Sequence, residues 1–318
     1  MSAGISRSSF LLGSGLGFSF FLVACGTSKD APAPSALFPA AQLGEKIFKD
    51  TSLSASNTQS CATCHSPDAV HAPTNDFPAQ FGGMAMDLQG VRQTPSIRYL
   101  SANKSFHFDK DGTPSGGFFW DGRADSLAEQ AGAPFLNPVE MAMPSKAAVV
   151  AKLASASYAA EFKAVYGANI FNDPERAFQC MTLALQQYQQ EDSAFHPYTS
   201  KYDAFLRGMA TLTPQEVRGL ALFNNPQKGN CAACHPSGRG ENGSLPLFTD
   251  FTYDVLGVPR NPDLAANADP DHYDLGLGAR IKGDLAGQEG LYSAFKVPSL
   301  RVTSPRAGSS FTMGDSKH

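Results

Sequence analysis

Two short segments of the chain have the residue types and spacing that attach haem. Residues 61–65 and 231–235 both follow the pattern Cys-x-x-Cys-His. In this pattern two thiols bond to the porphyrin and the adjacent imidazole ligates the iron. A thioredoxin-like dithiol or a zinc site would not explain a His directly after both motifs. The sequence therefore predicts two covalently bound c-type haems, held by Cys61, Cys64 and His65 and by Cys231, Cys234 and His235.

Each motif follows a short predicted helix that ends in Phe, at Phe48 and at Phe223. The second helix begins with the capping box Thr213-Pro214-Gln215-Glu216, which has Pro at the first helical position. A helix, a loop and Cys-x-x-Cys-His form the entry to a cytochrome c domain. We expect a first haem domain over residues 41–204 and a second haem domain over 205–318.

The long segment between the motifs is predicted to be a helical insertion in the first domain. Apolar periodicity indicates helices over 146–166 and 174–190, and Ser126–Glu129 is a further capping box. Cys180 falls within the second of these helices, where a buried, unreactive thiol is expected. Because no run of alternating strands occurs, the predicted class is mainly α, with two cytochrome c-like domains and long loops.

Composition limits the classes of partner. The chain has 318 residues, 42% of them hydrophobic and 17% charged, which is enough for two domains with apolar cores. Its net charge of -4 is spread without a basic block, so nucleic acid is not expected as a partner.

The first residues are typical of an export signal. Residues 1–24 contain one charge, Arg7, before an apolar stretch shorter than the roughly 20 residues that span a bilayer. The sequence around Cys25 resembles a bacterial lipoprotein cleavage box, which predicts a lipidated Cys25 and a flexible tether over 25–40. A plain secretory signal is the alternative. Both interpretations predict a periplasmic protein.

Several blocks around the two motifs resemble the bacterial diheme cytochrome c peroxidases and their MauG-like relatives, over about residues 41–305. The blocks are Phe119–Ala124, Leu127–Ala131, Asn137–Met141, Phe248–Arg260 and Phe295–Arg301. The resemblance implies that His65 holds the haem that reacts with peroxide. It also implies that His235 holds a second haem that takes electrons from a small cytochrome or cupredoxin.

The same resemblance assigns roles to three side chains. Glu140 is the implied acid/base for peroxide, Gln130 its polar companion, and Trp120 an aromatic group between the haems. Taken alone, these residues would be an exposed helix-end carboxylate, a solvated helix residue and a core Trp. Asp121 and Arg123 are expected to form a structural pair near Trp120.

The chain departs from the family pattern at the loop opposite the first haem. Peroxidases of this family place a His there, but Pro78–Gly83 contains none, and His71 and His107 do not match its position. An open first haem, as in the MauG-like branch, is the consequence. Gln93 replaces the Asn that ligates an inter-domain calcium in the family, which puts that calcium site in doubt.

A second departure lies at the C-terminus. The tail after Arg301 does not match the family segment that carries the sixth ligand of the second haem, and Met313 is its only thioether. We expect a sequence that is truncated or frameshifted just after Arg301. If the tail is genuine, the second haem would be five-coordinate or ligated by solvent.

The leading hypothesis is an exported diheme peroxidase that reduces hydrogen peroxide, with a lipid anchor and a homodimer as further expectations. A MauG-like oxidase that modifies a residue of a partner protein is the second hypothesis. A diheme electron carrier without catalysis is the third.

Overall fold

The computed structural model describes residues 37–281 and 289–301. The predicted signal peptide, Cys25, Met313 and the C-terminal tail lie outside these residues. The described residues belong to one compact unit that begins at Ala36.

The described part is rich in helix and has little sheet. Its α-helices are α1 (Pro39–Lys49), α2 (Cys61–Cys64), α3 (Leu127–Leu136), α4 (Lys146–Leu153), α5 (Ala159–Tyr166), α6 (Pro174–Glu191), α7 (Lys201–Leu206) and α8 (Pro214–Asn224). Short 3-10 helices cover Thr51–Leu53, Pro67–Ala69, Leu100–Ala102, Ile170–Asn172, Ser193–Phe195, Cys231–Ala233, Ala265–Ala268, Leu277–Ala279 and Glu289–Leu291. The mainly α prediction is confirmed at this level.

Three antiparallel pairs of two-residue strands complete the described structure. β1 (Phe81–Gly82) pairs with β2 (Leu88–Gln89), and β3 (His107–Phe108) pairs with β4 (Pro114–Ser115). β5 (Tyr253–Asp254) pairs with β6 (Phe295–Lys296), with Tyr253 opposite Lys296. The pairing of β5 with β6 joins two segments that are distant in the sequence, and it fixes the position of β6.

The main core forms where α6 packs on α1, α3 and α4. Leu43 and Ile47 of α1 and Met181 and Leu185 of α6 are at most 1% exposed. Gly44 allows the close approach of α1 to α6, because a Cβ there would lie 2.1 Å from the Ala184 carbonyl oxygen. Cys180 of α6 packs beside this core and is partly exposed, and burial raises the pKa of its thiol.

Two helix boundaries differ from the prediction. α1 begins at Pro39, inside the predicted tether, because Pro suits the first position of a helix. The helix predicted over 146–166 is two helices, α4 and α5, separated by Ala154–Tyr158. The Ser155 hydroxyl bonds the Ala151 carbonyl there, a local hydrogen bond of the kind that competes with a continuing helix.

The capping box predicted at α8 is complete, whereas only half of the one predicted at α3 is formed. At α8 the Thr213 hydroxyl accepts from the Glu216 backbone N–H, and the Glu216 carboxylate accepts from the Thr213 N–H. At α3 the Ser126 hydroxyl accepts from the Glu129 N–H, but the Glu129 carboxylate bonds the N–H of Asp125 instead of Ser126.

The boundary predicted at 204/205 falls inside α7. No described helix is both long and apolar enough to cross a membrane.

Candidate active site

The first Cys-x-x-Cys-His motif begins with a single helical turn, α2. The Ser60 and Thr63 side chains cap this turn, and the backbone N–H of His65 donates to the Cys61 carbonyl at 2.8 Å. Positions i and i+3 share one face of a helical turn, so Cys61 and Cys64 present their thiols to the same side. The second motif repeats the arrangement, since the N–H of His235 donates to the Cys231 carbonyl at 2.9 Å.

Both motif histidines are held by a main-chain carbonyl. Nδ1 of His65 lies 3.3 Å from the His71 carbonyl oxygen, and Nδ1 of His235 lies 2.7 Å from that of Phe248. Because a carbonyl only accepts, Nδ1 must carry the proton in each ring. That tautomer leaves Nε2 unprotonated, which is the form of imidazole that ligates iron.

A cavity of about 460 Å³, the first cavity, brings most of the predicted site residues together. Its volume lies within the roughly 300–1,000 Å³ of cofactor and ligand pockets. The predicted residues that line it are Cys61, Cys64, His65, Trp120, Gln130 and Glu140. Burial raises the pKa of the Cys61 thiol to about 12 and raises that of Cys64, as expected for thiols inside an apolar pocket.

Glu140 lies in a tight turn after α3. The Glu140 N–H donates to the Asn137 carbonyl at 3.0 Å, and its own carbonyl accepts from the Gly83 N–H at 2.8 Å. Burial raises the pKa of the Glu140 carboxyl, while the Arg123 charge and the Asn137 side chain offset part of that rise. The group can therefore keep its proton to a higher pH than an exposed Glu does.

Gln130 and Trp120 approach the same cavity from different elements. Gln130 lies on α3, and Trp120 follows the buried Phe118 in the loop before α3. The indole N–H of Trp120 donates to the Gln93 carbonyl at 2.9 Å, and the Trp120 carbonyl accepts from the Lys296 N–H at 2.8 Å. Both ends of Trp120 are thus fixed in the cavity wall.

The ion pair expected between Asp121 and Arg123 is present, and two further residues join it. Asp121 is 5% exposed and accepts from Arg123 at 3.0 Å and from Arg92 at 2.7 Å. Arg92 also donates to Asp274 at 2.6 Å. Burial would raise the pKa of Asp121, but the two guanidinium groups hold it below its usual range. Nothing in the sequence pattern indicated Arg92 or Asp274, which meet only in the folded chain.

The loop without His lies beside Glu140. β1 occupies residues 81–82 of this loop, and Gln80 and Phe81 line the first cavity. A Cβ on Gly82 would lie 2.4 Å from the Val139 carbonyl oxygen, so only Gly lets the loop pack this closely on the turn before Glu140. Of the described residues that line the first cavity, His65 alone is a His.

The other two candidate histidines, His71 and His107, lie outside the first cavity. His71 is 1% exposed and packs on Phe195, with ring centroids 4.0 Å apart. Burial and the nearby Arg98 lower its pKa to about 4. His107 is on β3, and its Nε2 lies 3.2 Å from a carboxylate oxygen of Asp109. Neither residue lines the first cavity. Gln93 does line it and is 7% exposed.

A smaller cavity of about 200 Å³, the second cavity, adjoins the second motif. Cys231, Cys234 and His235 line it together with Phe295 and Lys296. Burial raises the pKa of the Cys234 thiol, while Cys231 is exposed. The described residues thus surround the second motif less completely than the first.

The arrangement matches a known family. The profile of the di-haem cytochrome c peroxidases matches residues 39–211. The MauG protein of Paracoccus denitrificans, named for methylamine utilization, is 41% identical over 295 residues, which cover 89% of this chain and 73% of that protein. The chain belongs to the di-haem cytochrome c peroxidase family. It is therefore an oxidoreductase of a family that uses two haems.

Relatives named as peroxidases also match this chain. The cytochrome c551 peroxidase of Nitrosomonas europaea is 29% identical over 262 residues, which cover 82% of this chain and 65% of that protein. The crystal structure of the diheme peroxidase BthA from Burkholderia thailandensis is 37% identical, with a TM-score of 0.78 over 88% of this chain and 69% of that one. The family thus includes both peroxidases and MauG proteins.

The residues present fit the family's two haems. Each cavity presents two thiols and one imidazole in the predicted pattern, and the walls of the first are largely apolar, including Ile97, Leu100 and Val297. Lys296 lines both cavities, although the block Phe295–Arg301 assigned it no role. Its position depends on the pairing of β5 with β6, which the sequence analysis did not predict.

Proposed function

We propose that this chain is an exported di-haem c-type peroxidase that reduces hydrogen peroxide to water with electrons from a small redox protein. The observation that carries the proposal is the first cavity, where Glu140, Gln130 and Trp120 share a wall with Cys61, Cys64 and His65. Each peroxide takes up two electrons and two protons and yields two waters. A bound haem would supply the iron that exchanges electrons with peroxide.

The chain's own residues would manage binding and protons. Cys61 and Cys64 would attach the first haem covalently, and Cys231 and Cys234 the second. Glu140 would take a proton from the near oxygen of peroxide and deliver it to the departing oxygen, which its raised pKa suits. Gln130 would orient peroxide by hydrogen bonding. Trp120, fixed at both ends, would be the aromatic group between the two sites.

The organisation and location predicted from the sequence belong to the same proposal. Residues 41–204 would form the peroxidatic haem domain with its helical insertion, and 205–318 the electron-transfer domain. A lipid anchor at Cys25 would hold the protein in the periplasm. A homodimer and a calcium ion near Gln93 stay predictions.

A MauG-like oxidation of a partner protein is the second candidate function. It is favoured by the Pro78–Gly83 loop, which packs on the turn of Glu140 and offers no imidazole to the first cavity. The 41% identity to the Paracoccus denitrificans MauG protein supports the same candidate. A first haem site without a second imidazole suits both activities, so the source of the electrons distinguishes the peroxidase from the MauG-like oxidase. Sustained peroxide turnover with a reduced small cytochrome would favour the peroxidase.

The test is spectroscopic and uses the purified full-length protein with its haems. EPR and optical spectra are recorded for the oxidised and half-reduced forms, before and after stoichiometric hydrogen peroxide. We expect a high-spin ferric signal in the oxidised form that peroxide removes at once. Two low-spin signals that remain inert to peroxide, even after half-reduction, would replace the proposal with a non-catalytic electron carrier.

A further inference from the structure

Lys296 lies in the wall that separates the two cavities. Three consecutive residues, Lys296–Pro298, line both the first and the second cavity, and Lys296 is the one that can carry a charge. Strand β6 carries it there, paired with β5. One ammonium group therefore borders both of the sites that the proposed function assigns to haem.

The position of the ammonium group is fixed by several contacts. The Lys296 backbone N–H donates to the Trp120 carbonyl at 2.8 Å, and Nζ donates to the Gly117 carbonyl. Nζ also lies 5.8 Å from the centroid of the Phe118 ring. A lysine at the surface would swing freely in water, whereas these contacts hold the charge of Lys296 between the cavities.

The surroundings of Lys296 leave its charge poorly screened. Burial lowers the pKa of the ammonium to about 7, and the negative charge of Asp121 offsets only part of that effect. Asp121 itself is engaged by Arg92 and Arg123. No carboxylate of the described residues forms an ion pair with Lys296. A charge in such a place acts over a longer range than an exposed one, because less water screens it.

We propose that Lys296 is a shared electrostatic element that raises the reduction potentials of both haems. This inference rests on the proposed function, because it requires redox groups in both cavities. A positive charge in the common wall favours the reduced state of each centre, which carries one positive charge less than the oxidised state. Lys296 acts through its charge and is a positioning residue rather than a catalytic one.

The test compares midpoint potentials of both haems by spectroelectrochemistry in the full-length holoprotein. At pH 6, below the pKa of about 7 of the Lys296 ammonium, we expect the equilibrium constant for reduction of each haem to fall by about tenfold in Lys296→Met, which is about 59 mV for one electron. Lys296→Arg should keep both potentials within about twofold of the parent equilibrium constant, since it keeps the charge. Lys163→Met, which removes an exposed lysine from α5, is the matched control and should leave both unchanged.

A second variant separates the charge from the hydrogen bond to Gly117. Lys296→Gln keeps a donor in place but removes the charge, so it should lower both potentials as Lys296→Met does. If both uncharged variants leave the potentials within twofold of the parent, or shift only one haem, the shared role is wrong. If the parent protein lacks two reducible haems or ignores peroxide, the proposed function itself fails, which is a different result.

Discussion

Glu140 illustrates how one side chain takes its chemistry from its surroundings. Its sequence neighbours give it an ordinary carboxyl at the end of a helix. In the fold, burial beside the thiols of the first motif raises its pKa, and Arg123 restores only part of the preference for the charged form. A carboxyl whose pKa is raised in this way keeps its proton to a higher pH than an exposed Glu does, which suits a group that transfers protons.

The first prediction at this scale concerns activity. Glu140→Gln keeps the size and polarity of the side chain but removes its titrating proton. We expect peroxide turnover to fall by at least ~10²-fold, the usual scale for the loss of a positioned acid/base. The measurement is steady-state turnover at saturating donor, with haem content checked by the optical spectrum. Glu129→Gln, an exposed change on α3, is the control. Turnover close to that of the parent would remove Glu140 from the mechanism.

The same raised pKa has a consequence for stability. A Glu whose pKa is higher in the folded than in the unfolded state contributes fully below its unfolded pKa of about 4.3, and this contribution is lost as pH rises through the folded pKa. At pH 7 the unfolded chain carries the ionised carboxylate, so the raised folded pKa of Glu140 lowers the stability of the fold. We expect Glu140→Gln to unfold at a higher temperature than the parent at pH 7, with the difference vanishing near pH 4. Equal unfolding temperatures at pH 7 would contradict the raised pKa.

At the scale of elements, the turn that carries Glu140 depends on the strand beside it. β1 packs so closely on residues 137–140 that a Cβ on Gly82 would lie 2.4 Å from the Val139 carbonyl oxygen and 2.8 Å from the Cα of Glu140. The Gly83 N–H fixes the same turn through the Glu140 carbonyl. The Pro78–Gly83 loop thus supports the turn that carries Glu140.

We therefore expect Gly82→Ala to disturb the turn. The added methyl group must displace main-chain atoms, which typically costs about 1–3 kcal/mol of unfolding free energy. Peroxide turnover should fall as well, because Glu140 moves with the turn. Gly90→Ala is the matched control near the partner strand, since its Cβ would meet its nearest atom, the Gln80 carbonyl oxygen, at 3.4 Å. The measurements are the free energy of urea unfolding and the peroxide turnover of both variants. Equal values for Gly82→Ala and Gly90→Ala would refute the packing argument.

Some of these elements could be predicted from the sequence, and others could not. Local signals were sufficient where the physics is local, as in the capping box of α8 and the helical turn of the first motif. They missed the break between α4 and α5, because the periodicity continues through Ala154–Tyr158. They also missed Lys296, whose position follows from a strand pair between distant segments. The motif spacing identified Cys61, Cys64 and His65 of the first cavity. Glu140, Gln130 and Trp120 were found through family resemblance, since spacing alone does not show that they lie near that motif.

At the scale of the whole molecule, buried ion pairs join segments that are far apart in the chain. Arg301 donates to Asp203 of α7 at 2.7 and 3.0 Å, and their side chains are 3% and 0% exposed. The guanidinium also lies over the rings of Tyr198 and Tyr99, at 4.5 and 5.0 Å. Arg301 follows the segment that forms the wall between the cavities, so this pair anchors that wall to the helices.

The last prediction tests that anchor against an exposed pair on the same helix. Arg301→Met leaves the Asp203 carboxylate buried without its partner, which typically costs about 3–5 kcal/mol. Lys201→Met breaks the exposed pair of Lys201 with Glu216, and such pairs contribute about 0–1 kcal/mol. Urea unfolding at pH 7 should separate the two variants clearly. A loss of less than about 1 kcal/mol in Arg301→Met would show that the wall does not depend on this pair.

The pH dependence of that loss provides an independent measurement. Burial alone would raise the pKa of Asp203, but hydrogen bonds from Arg301 and Ser200 hold it below its usual range. A carboxyl with a lowered folded pKa contributes stability above its unfolded pKa of about 3.9 and loses it as pH falls through the folded value. The parent should therefore lose its advantage over Arg301→Met as the pH falls below about 4. An advantage that persists at pH 2 would place its origin in the stacking of Arg301 on Tyr99 and Tyr198 rather than in the ion pair.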